Sequence, residues 1–298
     1  MKIGLVGLGK MGSQMVTRLV GAGHEIVATD TNQAAVELAV RQGATAATDR
    51  EALVDALDAP AVVWLMIPAA FVQAEIEALT ELLPKGSIII DGGNSDYRLT
   101  QKRAATCQQA GLELVDVGTS GGLLGAEQGF SMMIGGDATA VNTVMPIIQA
   151  LAQPNGYQHV GPHGAGHFTK MVHNAIEYGV MEAYAEGYRL LREADYPNLD
   201  LAAIANLWQH GSIIEGKLNH IAEQALHANP QLEGIDGVVA ESGEARWALE
   251  VAEAHQIAAP TIQAAFDVRL ASQQGATTFA TKLLAAMRNI FGGHPLNK

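Results

Sequence analysis

The sequence predicts an α/β domain followed by an all-α domain. Short apolar segments alternate with helical stretches through residues 1–162, and a glycine-rich turn follows the first of these segments. Residues 163–298 show helical periodicity with almost no strand alternation. A chain of 298 residues is long enough to form both domains around separate cores.

A glycine motif, GLGKMG at residues 7–12, stands directly between the first predicted strand and the first predicted helix. In this context Gly7 permits a tight turn, Gly9 lets the backbone approach a pyrophosphate, and Gly12 lets the helix pack closely on the strand. The anion then lies at the helix N-terminus, whose free N–H groups favour negative charge. We therefore predict a Rossmann-type domain in which Gly7, Gly9, Met11 and Gly12 contact a dinucleotide.

The second predicted strand ends at Asp30, where such a domain places the residue that selects the cofactor. A carboxylate there accepts hydrogen bonds from both ribose hydroxyls of NAD and repels the 2′-phosphate of NADP. The alternative is a turn-forming aspartate before Thr31 and Asn32. Because no arginine follows Asp30 directly, the whole unit favours NAD.

Further predicted strands at residues 61–67, 87–91, 112–117 and 131–134 alternate with helices at 33–41, 71–82 and 97–110. Two glycine-containing loops, DGGNS at 91–95 and GTSGG at 118–122, follow strand ends, which is where doubly wound sheets bind ligands. Glycine pairs alone usually mean only a turn. Here we expect Asn94 to position the nicotinamide. We expect a carboxylate to be held by Ser120, Gly121 and Gly122.

Polar side chains share one face of the long helix predicted after Gly164. Lys170, Asn174 and Glu177 stand at positions i, i+4 and i+7, and His173 and Tyr178 flank them. An amine, an amide, a carboxyl and an imidazole on one face suit a site that moves protons on a polar substrate. The alternative is a solvated helix face, but apolar residues interleave this stripe.

The remaining predicted helices cover residues 172–193, 201–210, 212–228, 245–255, 259–274 and 279–290. The tail from Phe291 is predicted to be non-helical, and the pair Arg288 and His294 near it is a further candidate. The net charge of −13 argues against nucleic acid, yet a local basic pocket remains compatible with an anionic substrate. No apolar run reaches membrane-spanning length. The single cysteine, Cys107, suits a reducing cytoplasm and is expected to be buried.

The chain resembles the decarboxylating 6-phosphogluconate dehydrogenases, in particular their short bacterial, NAD-type branch, within the β-hydroxyacid dehydrogenases. The resemblance runs through residues 7–12, DGGNS at 91–95, SGG at 120–122, and residues 166–178 and 288–294. The DGGNS and KMVHNAIEY segments are the most specific to that family. The related 3-hydroxyisobutyrate dehydrogenases share the glycine motif and SGG but lack the continuation around Glu177 and Tyr178.

This resemblance implies oxidative decarboxylation of 6-phosphogluconate to ribulose 5-phosphate and carbon dioxide, a step of the pentose phosphate pathway. Lys170 would be the base that takes the proton of the 3-hydroxyl, and would act as an acid during decarboxylation. Glu177 would then protonate carbon 1 of the enediol. Lys170 must therefore be neutral, and Glu177 protonated, when each acts. No metal is required, because the β-keto acid is its own electron sink.

The resemblance also implies the substrate contacts. The carboxylate and hydroxyls would be held by Asn94, Ser120, Gly121, Gly122, His173 and Asn174. Tyr178 would hold the phosphate together with Arg288 and His294 of a neighbouring subunit, so a homodimer or larger homo-oligomer is expected.

Two departures keep other functions open. Glu215 stands where longer family members have a substrate-binding arginine, and their KGTGKW segment becomes SGEARW at residues 242–247, so a phosphate-side lysine is missing at Ser242. Glu215 and Glu244, the two acids in these segments, would repel a phosphate if they faced it. One alternative is the same chemistry on a nonphosphorylated aldonate or another β-hydroxy acid, although Arg288 with His294 favours phosphate. An alternative of another class is a catalytically silent NAD-binding sensor, against which intact Lys170 and Glu177 argue.

Overall fold

The computed structural model describes residues 1–296, which form two compact units. The first unit is Met1–Met171, and the second begins at Val172. The division falls inside helix α8, Ala165–Glu193, nine residues beyond the predicted division at 162/163. The first turns of α8 belong to the first unit because they pack on its sheet. The exact domain limits stay a prediction.

The first unit is built on one sheet of eight strands in the order β3-β2-β1-β4-β5-β6-β7-β8. Neighbours from β3 to β6 are parallel, β7 is antiparallel to β6, and β8 is parallel to β7. The strands are β1 Lys2–Val6, β2 Glu25–Thr29, β3 Thr45–Ala46, β4 Val62–Leu65, β5 Ile88–Asp91, β6 Glu113–Ser120, β7 Phe130–Gly136 and β8 Ala152–Gly161. The predicted α/β class is confirmed.

Helices cover both faces of this sheet, because alternate residues of each buried strand point to opposite sides. On β4, Trp64 joins one apolar cluster with Ile3 of β1, and Leu65 joins the other with Ile76. The helices of this unit are α1 Lys10–Gly21, α2 Gln33–Arg41, α3 Arg50–Asp55, α4 Ala69–Leu82, α5 Tyr97–Gln109, the short α6 Gly125–Gln128 and α7 Ala138–Leu151.

Two strands of the first unit lie outside the predicted set, namely β3 and β8, and so do helices α3, α6 and α7. Strand β8 contains Pro154 and Gly156, which hide it from a search for apolar alternation, and it pairs only with β7 at the edge of the sheet. An edge strand tolerates proline because one of its sides needs no backbone donors. Cys107 is fully buried, as predicted, and burial raises the pKa of its thiol to about 12.

The second unit is all-α, which confirms the second half of the predicted fold. Beyond α8 it contains α9 Leu201–Trp208, α10 Lys217–Ala228, α11 Glu244–Ala254, α12 Pro260–Gln273 and α13 Phe279–Gly292. The helix predicted from Ser212 begins only at Lys217. Helix α13 runs to Gly292, so the prediction of a non-helical tail from Phe291 is wrong by two residues; left-handed Gly293 ends the helix.

The core of this unit gathers Met181 and Tyr188 of α8, Leu226 of α10, and Leu283 and Met287 of α13. Within residues 1–296, no helix combines the length and the apolar character needed to cross a membrane.

Candidate active site

The glycine turn after β1 has the geometry that a pyrophosphate requires. Gly7 adopts a φ of +97°, and a Cβ there would lie 2.5 Å from the carbonyl oxygen of Met66. A Cβ on Gly12 would lie 2.1 Å from the carbonyl oxygen of Gly7, so α1 packs directly on the turn. Gly9 precedes α1 and would have nothing within 4 Å of an added Cβ. This open space at the helix N-terminus fits a dinucleotide phosphate, and Met11 packs against the neighbouring core.

Asp30 ties the end of β2 to the same turn. Its Oδ2 accepts a hydrogen bond from the Leu8 N–H at 2.5 Å, and its Oδ1 accepts one from the Asn32 N–H at 2.7 Å. Because both donors are backbone groups, the carboxylate is fixed beside the glycine turn. Its remaining lone pairs suit the ribose hydroxyls of a nucleotide.

The loop after β5 is held by a buried ion pair that the sequence did not predict. Asp91 Oδ2 lies 3.2 Å from Arg103 Nη1 of α5 and accepts a hydrogen bond from the Ser95 hydroxyl at 2.8 Å. Asp91, Ser95 and Arg103 are all buried. A Cβ on Gly92 would lie 2.2 Å from Trp64 Nε1, so the loop presses onto the sheet. This support fixes the backbone that carries the exposed Asn94.

The loop after β6 is shaped by two glycines in the left-handed region. Gly121 has a φ of +132° and Gly122 a φ of +54°. Ser120 is the last residue of β6, and a short 3₁₀ helix, Gly122–Leu124, follows. The half-buried Ser120, Gly121 and Gly122 lie at the end of β6, but the strand runs three residues further than the predicted 112–117, because Gly118, Thr119 and Ser120 pair with β7. Their contact with a carboxylate stays a prediction.

A third aspartate anchors the start of α8. Asp116 of β6 is fully buried and accepts hydrogen bonds from the Gly164 N–H at 2.8 Å and the His167 N–H at 2.9 Å. A carboxylate at a helix N-terminus also complements the helix dipole. Gly166 allows the approach, because a Cβ there would lie 2.5 Å from the carbonyl oxygen of Met133.

His167 joins α8 to the loop after β5, and the sequence did not single it out. Its Nε2 lies 3.1 Å from the Asp91 carbonyl oxygen, and its Nδ1 lies 2.7 Å from the Thr100 hydroxyl. The carbonyl can only accept, so Nε2 carries a hydrogen; the Thr100 hydroxyl also lies 3.2 Å from the Asp96 carbonyl oxygen, to which it donates. This imidazole, 2 % exposed, thus links two parts of the candidate site within the first unit.

Lys170, the predicted base, lies one turn after His167 and is 7 % exposed. A Cβ on Gly118 of β6 would lie 2.3 Å from the Cβ of Lys170, so the lysine stem rests against the bare backbone of that strand. Gly118, the first residue of the GTSGG segment, therefore lies within β6 and allows α8 to approach that strand closely.

On the second-unit part of α8, the predicted residue His173 contacts two other predicted residues, Asn174 and Glu177. His173 Nδ1 lies 3.0 Å from Asn174 Oδ1 and 4.0 Å from Glu177 Oε2. Asn174 Nδ2 donates a hydrogen bond to Glu244 Oε1 at 2.9 Å. Glu244 begins α11 and is buried. The amide of Asn174 is thus oriented by a residue that departs from the longer relatives' pattern.

Tyr178 lies in a strongly cationic environment. The Cζ of Arg269, on α12, is 3.2 Å from the centroid of the Tyr178 ring. The Tyr178 hydroxyl lies 3.4 Å from Ser242 Oγ and accepts a hydrogen bond from the Ser242 N–H at 3.3 Å. Arg288 of the same chain is buried and interacts electrostatically with Tyr178, Glu177 and Glu244. Burial lowers the pKa of both arginines, that of Arg269 to about 10.

Arg269 is the residue that sequence reasoning missed. It is 2 % exposed and occupies the buried stripe of α12 together with Ala265, Phe266 and Ser272. Arginine is almost never fully buried unless it is paired, so an arginine at helical spacing from Ala265 and Phe266 was the available signal.

The two acids that depart from the longer relatives differ in their surroundings, since Glu244 is buried and Glu215 is not. Glu215 is exposed and accepts a hydrogen bond from the Gly211 N–H at 3.1 Å, which closes a local turn. Arg246, two residues after Glu244, is exposed and pairs with Glu241.

Near the tail, the His294 carbonyl oxygen accepts a hydrogen bond from Asn289 Nδ2. The imidazole ring of His294 packs edge-on against Phe291. Whether Arg288 and His294 serve a neighbouring subunit stays a prediction.

Two family models match the chain. Residues 2–162 match the NAD binding domain of 6-phosphogluconate dehydrogenase, and residues 166–287 match the 6-phosphogluconate dehydrogenase C-terminal domain.

Individual relatives agree with these matches. The chain is 39 % identical over 298 residues to YqeC of Bacillus subtilis, provisionally named a 6-phosphogluconate dehydrogenase, with all of both chains covered. It is 38 % identical to an NAD(+)-dependent, decarboxylating 6-phosphogluconate dehydrogenase of Haloferax volcanii, covering 99 % of this chain and 98 % of the relative. The solved Plasmodium falciparum 6-phosphogluconate dehydrogenase, described with NADP+ and with 6-phosphogluconate, superposes with a TM-score of 0.84 at 28 % identity. That match covers 92 % of this chain and 62 % of the Plasmodium chain.

Proposed function

The chain belongs to the 6-phosphogluconate dehydrogenase family, and we propose that it converts 6-phosphogluconate to ribulose 5-phosphate and carbon dioxide with NAD as the oxidant. The observation that carries this proposal is the placement of the two proposed catalytic residues on helix α8. One unbroken helix presents Lys170 and Glu177 seven residues apart on one face, and Lys170 is buried against Gly118. An amine and a carboxyl on one helix face suit a base and an acid of one reaction.

Lys170 acts first, as a neutral amine that takes the proton of the substrate's 3-hydroxyl. Bound NAD would supply the acceptor for the hydride that leaves carbon 3. The resulting 3-keto acid breaks its bond between carbons 1 and 2 and releases carbon dioxide. Lys170 returns its proton to the ketone oxygen during this step, which stabilises the enediol. Glu177 then protonates the carbon that lost the carboxylate, while Lys170 takes back the proton of the enediol hydroxyl, and the product ketone forms.

The preference for NAD rests on Asp30. Its carboxylate is fixed by the Leu8 and Asn32 N–H groups beside the glycine turn. A fixed negative charge at that point disfavours a 2′-phosphate and favours free ribose hydroxyls. The names of the Haloferax volcanii relative and of a second, Bacillus subtilis relative also state NAD dependence.

A phosphorylated substrate is favoured over a plain aldonate by the cluster of Tyr178, Arg269 and Arg288, hereafter the phosphate cluster. Two buried guanidinium groups, of which that of Arg269 lies over the Tyr178 ring, concentrate positive charge that an anionic group of the substrate can help to offset. Arg269 supplies a cation that the departures at Glu215 and Ser242 had put in question. We therefore retain phosphate as part of the proposed substrate.

A second copy of the chain remains the proposed partner. The face of α8 that carries Ile176, Val180 and Leu190 is apolar and exposed, and so are Leu207 and Ile213 of the same unit. Apolar residues repeated along one exposed helix face are typical of a surface that another chain covers. Sedimentation of the purified protein tests this, and a monomer at micromolar concentration would contradict it.

The deciding test of the reaction is a paired assay of the purified protein with 6-phosphogluconate, using NAD in one reaction and NADP in the other. Reduced cofactor and carbon dioxide are both followed, and gluconate is the control substrate. We expect reduction of NAD matched by carbon dioxide, with slower reduction of NADP. Turnover of gluconate but not of 6-phosphogluconate would overturn the phosphate assignment. Binding of NAD with no turnover of either acid would favour a sensor.

A further inference from the structure

We propose that Glu182 sets the affinity of the phosphate cluster for anions by gaining or losing a proton close to Arg269. This inference rests on the proposed function, because it takes Tyr178, Arg269 and Arg288 to be the place where the substrate's phosphate binds. Glu182 is absent from the predicted site residues, and it acts here through Arg269. It is therefore a positioning residue and not a catalytic one.

The geometry places Glu182 beneath this cluster. It lies on α8 four residues after Tyr178, so the two side chains stack on the same face of the helix. It is 6 % exposed, and its Oε2 has no hydrogen-bond partner among residues 1–296. Arg269 covers the ring of Tyr178 and interacts electrostatically with Glu182. A buried carboxyl with an unsatisfied oxygen is costly to keep charged, so its charge responds to its surroundings.

The titration of this group falls in the physiological range. Burial raises the pKa of Glu182 to about 7, Glu186 one turn further along α8 raises it too, and Arg269 opposes them. Burial lowers the pKa of Arg269 only to about 10, so this cation persists at neutral pH. The other charged or titratable groups of the cluster are Glu177 and His173 of α8, Glu244 of α11 and Arg288 of α13.

The sign of the effect follows from these charges. Below pH 7 Glu182 is neutral and no longer offsets the positive charge of Arg269, so more of that charge is available to an anion. Above pH 7 the Glu182 carboxylate offsets that charge, and the anion binds more weakly. By linkage, binding of an anion must also strengthen the hold of Glu182 on its proton, so binding near pH 7 takes up protons.

The same titration affects stability. The folded-state pKa of Glu182 lies above the ordinary value of 4.5, so its protonated form contributes stability that is complete below that value. This stability is lost as the pH rises through about 7. The Glu182→Gln variant, which cannot ionise, should therefore melt higher than the natural protein at pH 8 and at the same temperature near pH 4.5. This readout also shows that the variant folds.

The test uses sulfate, which is a dianion throughout the range from pH 6 to pH 8 and so has no titration of its own. Its Kd for the full-length protein is measured by calorimetry at both pH values, for the natural chain, Glu182→Gln and Glu193→Gln. We expect the natural Kd to rise about fivefold with pH, at the lower end of usual coupling between sites. Glu182→Gln should keep the tighter Kd at both pH values. Glu193→Gln, which removes an exposed carboxylate of the same helix, should behave like the natural chain.

A sulfate Kd of the natural chain that does not change with pH would overturn the proposal. An equal change of Kd with pH in Glu182→Gln would also overturn it, because the effect would then belong to another group such as His173. A second measurement avoids any variant: sulfate binding near pH 7 in two buffers of different ionisation enthalpy should report proton uptake, and none would contradict the proposal. If Glu182→Gln does not fold, Glu182→Met replaces it. Sulfate binding needs no turnover, so failure of the 6-phosphogluconate assay and failure of this inference are separate results.

Discussion

The first unit holds the segments of its candidate site mainly through aspartates that accept hydrogen bonds from backbone N–H groups, whereas the second unit relies on buried arginines. In the first, Asp30, Asp91 and Asp116 each stand on or just after a strand and accept hydrogen bonds from backbone N–H groups of a neighbouring loop or helix. In the second, Arg269 and Arg288 lie buried around Tyr178.

The difference separates two tasks. A dinucleotide phosphate is recognised by N–H groups and a helix end, so the first unit needs a precise chain path. A small sugar acid carries charges that must be matched one by one, so the second unit needs side chains held in position. Changes in the glycine turn and at Asp30 should therefore alter cofactor use, and changes at Arg269 should alter substrate affinity, whereas Lys170, near the end of the first unit, should act on the rate of the reaction.

The largest expected effect comes from Lys170→Met, which removes the proposed base. We expect kcat to fall about 1,000-fold or more, because a positioned proton acceptor contributes rate enhancements of that order. Binding of NAD, followed by fluorescence, should stay unchanged. Lys102→Met, at an exposed position of α5, is the matched control and should keep full activity. Substantial turnover in Lys170→Met would remove Lys170 from the mechanism.

Replacement of Arg269 tests the second unit by itself. Arg269→Met keeps much of the volume but removes the charge over Tyr178, and we expect KM for 6-phosphogluconate to rise about 30-fold or more with a smaller change in kcat. Arg246→Met removes an arginine that is exposed and paired with Glu241, and should leave KM unchanged. The reverse result would place the phosphate near Arg246.

The close approach of Lys170 to β6 can be tested with Gly118→Ala. The added Cβ would lie 2.3 Å from the Cβ of Lys170, so α8 or the strand must shift. We expect a loss of about 1–3 kcal/mol in the free energy of unfolding, together with a lower kcat. Gly21→Ala, at the end of α1 with nothing within 4 Å, is the control and should be neutral or slightly stabilising. A Gly118→Ala protein of natural stability would contradict this packing.

Asp30→Ala should have the smallest of these effects. We expect KM for NAD to rise and the preference for NAD over NADP to relax about tenfold, because the charge that repels the 2′-phosphate is gone. Asp49→Ala removes another aspartate that accepts a backbone N–H, at the start of α3. It should cost about 1 kcal/mol of stability and leave the cofactor ratio unchanged. An unaltered ratio in Asp30→Ala would dismiss Asp30 as the selecting residue.

Much of the first unit could be predicted because the glycine turn is recognisable from the spacing of a few neighbouring residues. Gly7, Gly9 and Gly12 stand at a fixed spacing after an apolar strand, and the structure gives each the expected surroundings. The α8 stripe was also visible, since helical spacing relates Lys170 to Glu177 without any knowledge of the fold.

What the sequence hid depends on contacts between distant segments. Asp116 and Gly164 are 48 residues apart, and Asn174 and Glu244 are 70 apart, so no local pattern joins them. Strand β8 was hidden for another reason. Its own sequence lacks apolar alternation, and its place in the sheet is shown only by its pairing with β7.

Helix α8 has a consequence for how such a chain can change over evolutionary time. Seven residues separate Lys170 from Glu177, which is about 10.5 Å along the helix axis. Insertion of a single residue between them would turn Glu177 by about 100° away from the face of Lys170, although both side chains would still be present. Substitutions in this segment can therefore be gradual, but a change in its length cannot, and we expect the interval from Lys170 to Glu177 to stay at seven residues even in descendants whose loops have lengthened or shortened.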